Sequence, residues 1–147
     1  MRALAIALIV AACAWPAVLA GATWELVEGR TPTWSAIVYA SASKICHQRP
    51  ERSFHTAGVK WPVCGRCSGL YLSAPIGALA AAIVLRRRGL VHGELTWLAL
   101  AAVPTAVTLL VEWLNLAPVS NLARAIAALP LGAMIAFVLV RTAAGEA

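Results

Sequence analysis

Three of the chain's four cysteines and two of its three histidines fall in one window, Cys46 to Cys67, which reads CHQRPERSFHTAGVKWPVCGRC. Within it, Cys64-Gly65-Arg66-Cys67 is a C-x-x-C placed directly before a long uncharged stretch, so the pair belongs at the first turn of a helix, where free backbone N–H groups and Arg66 favour thiolates. Two chemistries suit this arrangement. A structural metal, zinc being the expected ion, needs four soft or imidazole ligands, and Cys46 with either His47 or His55 would complete a Cys₃His set around the C-x-x-C half-site. Adjacent residues of an extended chain point apart, so Cys46 and His47 can ligate together only if the chain turns tightly before Pro50; His55 has no such restriction. A thiol–disulfide oxidoreductase would instead use the C-x-x-C as a redox dithiol, with Cys46 as its exchange partner. The plain alternative is a disulfide from Cys46 to Cys64 or Cys67 that staples the loop. Metal binding is the favoured reading, and Cys13, far from the window, is expected to be a small core residue.

The elements that must position this window are set by composition. Of 147 residues, 61% are hydrophobic and 12% charged, against roughly 25% charged in soluble domains, and the mean hydropathy is +0.80. That leaves too little polar surface for a water-facing shell and excludes disorder, coiled coil and collagen. The excess of 12 Lys+Arg over 6 acidic residues, all Glu, is read as membrane topology and lipid contact, not as nucleic-acid binding. Four uncharged or nearly uncharged stretches, at about 3–20, 68–85, 95–111 and 122–140, are each close to the ~20 residues that a crossing helix needs. The expected fold is all-α and integral to the membrane: one membrane domain over 1–147, four transmembrane helices, and a site loop at 21–67. The rival reading of the first stretch is a cleaved signal peptide, with Arg2 before it, Pro16 within it and Val18-Leu19-Ala20 as the cleavage box; a lipobox around Cys13 is weaker still. Pro75, Pro104 and Pro130 sit mid-span, where neighbouring helices can satisfy the freed carbonyls, and Gly77 and Gly132 allow close helix approach. In the loop, residues 34–45 read as a short interfacial helix with Trp34 and Tyr39 as belt aromatics.

Four spans place the loop between the first two on the same side as the loop between the last two. Glu112, Asn115, Ser120, Asn121 and Arg124 therefore share a face with the Cys/His window. Glu112 and Arg124 form a candidate ion pair across a helical hairpin, either a simple clasp or the floor of the site. Arg49, Glu51 and Arg52 lie in the window itself, with Pro50-Glu51 fitting the start of a short helix; with Arg66 and Arg124 they could cradle a phosphate or carboxylate, as a lipid-headgroup or anion-binding protein would. Arg86-Arg87-Arg88 after the second span argues for a cytoplasmic loop there, and hence for an extracytoplasmic site loop in a plasma (inner) membrane, although six basic residues of the long loop vote the other way. His92, in the short basic loop, is read as inert.

The run Cys46-His47-Gln48-Arg49-Pro50-Glu51-Arg52-Ser53-Phe54, then Gly58, then Pro62-Val63-Cys64-Gly65-Arg66-Cys67-Ser68-Gly69-Leu70-Tyr71, resembles the signature of small prokaryotic membrane proteins grouped as domain of unknown function 2085. The resemblance marks Cys46, His47, Gln48, Pro50, Glu51, Arg52, Cys64, Arg66 and Cys67 and favours His47 over His55 as fourth ligand; it implies no activity. A bundle with C-x-x-C at the start of its second helix is also similar to the quinone-linked disulfide-generating membrane proteins, but this chain lacks their second cysteine pair between spans three and four. The reading is a multi-pass membrane protein with a Cys/His metal cap: Cys46, His47, Cys64 and Cys67 as ligands, and Gln48, Glu51, Arg52, Arg66, Glu112, Asn121 and Arg124 as supporting or anion-binding residues. Zn²⁺ is the expected cofactor and the bilayer the expected partner, with a homo-oligomer or another membrane partner left open. No constellation of residues assigns a reaction.

Overall fold

The computed structural model describes residues 2–30, 33–86 and 93–145; Arg87, Arg88 and His92, on which part of the orientation argument and the reading of His92 fall, lie outside them. In chain order the elements are α1 (Arg2–Val27), α2 (Thr33–Ser43), a 3₁₀ turn (Pro50–Arg52), β1 (Ser53–Thr56), β2 (Val59–Cys64), α3 (Gly65–Arg86), α4 (Glu94–Trp113) and α5 (Asn121–Ala144). The helices α1, α3, α4 and α5 are long and apolar enough to cross a bilayer, and the protein is a helical membrane protein with a cysteine-bearing loop between its first two spans. Each spanning helix continues through its internal proline, Pro16, Pro75, Pro104 or Pro130.

The loop is more ordered than its composition suggests. α1 runs on to Val27, α2 occupies the stretch read as an interfacial helix, and Pro50 opens the short turn expected of it. The stretch between Ser53 and Cys64 forms an antiparallel hairpin, closed between Thr56 and Val59 by Ala57 and Gly58, both at positive φ. That two-residue connection matches the twist of the strands it joins.

Within the bundle, α3 and α5 form the central pair, with α1 and α4 flanking them. The centre is built on missing side chains. A Cβ added to Gly69 would stand 2.0 Å from the Ala125 carbonyl oxygen, one on Gly77 1.8 Å from that of Ala133, and one on Gly132 2.3 Å from that of Leu70. Such distances leave no room for a methyl group, and the obstacle in each case is backbone, which cannot rotate away. α1 lies against this pair through a stripe that includes Ala5, Leu8, Ala12, Trp15 and Leu19. Cys13 falls on the opposite side of α1 and is exposed, which corrects its expected place in the core: the i, i+3, i+4 spacing of the contact stripe excludes position 13.

α4 is held to α5 by the Thr105 hydroxyl, which donates to the Ala127 carbonyl at 2.9 Å, while Leu95, Val103, Val107 and Leu110 face outward toward lipid. Gly77→Ala is expected to lower stability by about 1–3 kcal/mol, since α3 and α5 must separate to admit one methyl group. Val103→Ala, on the outward-facing side of α4, serves as the control. Denaturant titration of the detergent-folded protein checks this, and a Gly77→Ala midpoint equal to that of Val103→Ala would contradict it.

Candidate metal centre

The chain leaves α2 at Ser43 and reaches Cys46 in a tight turn, with the Cys46 N–H donating to the Ala42 carbonyl at 2.9 Å. Cys46 is thereby buried against Leu19, Ala22, Val38, Ala42 and Val63. The next residues are tied down from two directions. The Gln48 side-chain amide donates to the Tyr39 carbonyl at 2.8 Å, and the Lys60 ammonium donates to the Gln48 carbonyl at 3.1 Å. The Tyr39 hydroxyl in turn donates to the Lys60 carbonyl at 2.6 Å. Gln48, at φ 48°, thus reverses the chain and clamps it between α2 and β2.

The other two cysteines come from the junction of β2 and α3. Cys64 ends the strand and precedes the first turn of α3, and Cys67 stands within that turn, so the free N–H groups of the helix start surround the sulfurs. The Cys64 N–H donates to the Cys46 sulfur at 3.1 Å, joining the two ends of the loop. The sulfurs of Cys46, Cys64 and Cys67 all lie within 4.8 Å of one another, a spacing at which three cysteines could hold a metal ion. In tetrahedral zinc–thiolate sites, Zn–S bonds of about 2.3 Å put the sulfurs about 3.8 Å apart. The hydrogen bond from the Cys67 side chain, joined by the backbone N–H groups of Cys67 and Arg66, outweighs burial and holds the Cys64 thiol down at about 5.

His47 is exposed and lines the same cavity as the three cysteines, whereas His55 is exposed on β1 and is not among the cavity's lining residues. Neither imidazole joins the three-sulfur group at that spacing.

Beneath the sulfurs is a charged floor. Glu112, at the end of α4, takes Arg66 on one oxygen at 3.1 Å and the Nε of Arg124 on the other at 2.6 Å. Arg66 also donates to the Thr108 hydroxyl at 3.3 Å, and Arg124 donates to the Asn121 side-chain oxygen at 2.6 Å. The Asn121 amide donates to the Ser53 carbonyl at 3.0 Å and, more weakly, to that of Glu51 at 3.5 Å. The network therefore joins α3, α4, α5 and the hairpin, and the two inter-span loops do share one face. Glu112 pairs with Arg124 as the hairpin argument expected, and with Arg66 as well.

Of the remaining expected residues, Asn115 sits at φ 51° just past α4, and Ser120 caps α5 by accepting the Ala123 N–H at 3.1 Å. Glu51 is exposed and touches the network through its carbonyl alone. Sequence reasoning missed Gly65. A Cβ there would lie 2.6 Å from the Asn121 carbonyl oxygen, so the glycine of the C-x-x-C lets the start of α3 rest on the start of α5. The four-residue spacing of Gly65, Gly69, Ser73 and Gly77 was the available signal. Thr108 and Trp113, which bound the site from α4, carried no comparable sign.

These features define a class: a four-span helical membrane protein with a three-cysteine group at one face that could hold a metal ion. The chain belongs to the family of predicted membrane proteins named domain of unknown function 2085, whose model matches residues 46–138, from the first cysteine of the site deep into α5. It is 36% identical over 73 residues to an uncharacterized protein of Methanocaldococcus jannaschii, a match covering 50% of this chain and 47% of that one. Over 30 residues it is 57% identical to an uncharacterized protein of Methanothermobacter thermautotrophicus, covering 20% of this chain and 27% of the other. The matches thus span about half the length of the first relative and about a quarter of the second. No solved structure matches.

In chelator-treated protein, Cys64 is expected to react with iodoacetamide at a rate nearly flat from pH 9 to about 6 and falling only as the pH drops through about 5, because a lowered pKa keeps the thiolate populated above that value. Mass spectrometry of the alkylated peptides measures this. A Cys64 rate that instead falls about tenfold per pH unit below 8, like an ordinary thiol, contradicts it.

Proposed function

We propose that the protein is a metal-binding membrane protein in which Cys46, Cys64 and Cys67 hold a zinc ion as thiolates, with His47 as the fourth ligand. The observation that carries this is the mutual approach of the three sulfurs within 4.8 Å, assembled from two segments that are 18 residues apart at their nearest bond. Zinc suits a set of thiolates with one imidazole. His47 follows Cys46 directly and lines the same cavity, so a side-chain rotation with modest backbone adjustment brings its imidazole to the open position; His55, across the hairpin, is the lesser candidate. The ion would act structurally or as a regulatory element, fixing the loop to the start of α3.

The redox reading fits less well, because a third sulfur within 4.8 Å of the other two favours a shared ion over a single exchanging pair. Arg66, Glu112, Asn121 and Arg124 support the centre by holding the first turn of α3, and Gln48 by holding the turn after Cys46. With Arg86-Arg87-Arg88 on the cytoplasmic side, the centre faces outward from a plasma membrane.

Protein purified in detergent without chelator is expected to carry close to one zinc per chain by elemental analysis. Cys46→Ser, Cys64→Ser and Cys67→Ser should each lose most of it, Cys13→Ser should keep it, and His47→Ala should weaken retention against a competing chelator by about tenfold or more. Wild-type protein with no zinc, iron or copper near one equivalent would end the proposal. Cysteines that become alkylatable only after reduction would replace it with a disulfide.

A further inference from the structure

The cavity over the cysteines has a second chemistry. Its volume is about 370 Å³, and Arg49, Arg52, Arg66 and Arg124 line it together with His47, while no carboxylate among the described residues does. The nearby acid, Glu112, is already shared between Arg66 and Arg124. The guanidinium groups of Arg49 and Arg52 make no hydrogen bond or ion pair among the described residues. Metal binding would not neutralise this excess: three thiolates around a divalent ion carry one net negative charge and Glu112 a second, against four guanidiniums. Arginine forks match the geometry of phosphate oxygens, and several of them around one opening select a multiply charged anion.

The rim adds a location. Trp113, 81% exposed, and Ile45, 58% exposed, line the same cavity, so an apolar edge borders the cationic centre at the ends of the spanning helices. That is the depth at which aromatic side chains and lipid phosphates meet. We propose that this cavity binds a phosphate group, either as inorganic phosphate or as the phosphomonoester headgroup of a lipid, with Arg49 and Arg52 as the ligands not committed to the fold. The inference stands on the arginines and does not require the metal.

The test uses the full chain in neutral detergent at constant ionic strength. One arm titrates inorganic phosphate by calorimetry; the other measures retention of phosphatidic acid over phosphatidylcholine by native mass spectrometry. One saturable site is expected, weakened at least tenfold in the Arg49→Gln/Arg52→Gln double variant and largely kept in the Arg49→Lys/Arg52→Lys variant. Binding of inorganic phosphate alone identifies a soluble source, and phosphatidic acid displaced by inorganic phosphate identifies a lipid. If neither ligand binds, or if the glutamine variant binds as the wild type does, the proposal is overturned. Zinc content of the same samples separates the two readings: a metal-free sample that binds phosphate defeats the metal centre alone, and a zinc-loaded one that does not defeats this site alone.

Discussion

The contact on which the structure depends is the backbone approach of α3 to α5. Gly65, Gly69 and Gly77 on one helix and Gly132 on the other bring main chain against main chain, with no space for a single methyl group at any of the four. In a bilayer, where lipid is as apolar as the helices, such close packing supplies attraction that hydrophobicity does not. The uppermost of these contacts, Gly65 against Asn121, lies inside the C-x-x-C itself. The packing of the bundle and the position of Cys64 and Cys67 are therefore one constraint, and α5 begins directly beneath the sulfurs.

From that contact the polar residues follow in order. Once α3 starts on top of α5, Arg66 and Arg124 project toward the same point, and Glu112 at the end of α4 meets both. Three largely buried charges are costly to desolvate, and removing one partner from such a group typically costs about 3–5 kcal/mol. The arrangement is tolerable because the carboxylate is doubly paired and each arginine finds a further oxygen, Thr108 for Arg66 and Asn121 for Arg124. Asn121 passes the order outward to the Ser53 carbonyl, and the hairpin carries it to Cys64. Cys46 arrives from the other end of the loop, where Gln48, Tyr39 and Lys60 lock its turn. The cluster is thus fixed from the bundle below and from the loop above, as a ligand set must be if binding is not to bear the ordering cost.

Much of this was legible in the residues. Uncharged stretches of bilayer length mark the four spans, and the two crossings between them put Glu112 and Arg124 on the face of the Cys/His window. The density of cysteines in that window pointed to the three sulfurs that meet. The hairpin at Ser53–Cys64 was less visible, since Pro62 and the charges around Pro50 obscure the alternation that marks a strand. Arg66 as a second partner of Glu112 depends on the angle between α3 and α4, which no local pattern encodes. Cys13 went astray because in a membrane helix apolar character no longer distinguishes the buried face from the lipid face, so the small-residue spacing is the better guide.

The central claim is that the three sulfurs share one ion, and X-ray absorption at the zinc edge on protein purified without chelator tests it most directly. Three sulfur neighbours at about 2.3 Å and one nitrogen neighbour at about 2.0–2.1 Å are expected. A first shell of oxygen and nitrogen alone would contradict it, because the ion would then lie elsewhere than among Cys46, Cys64 and Cys67.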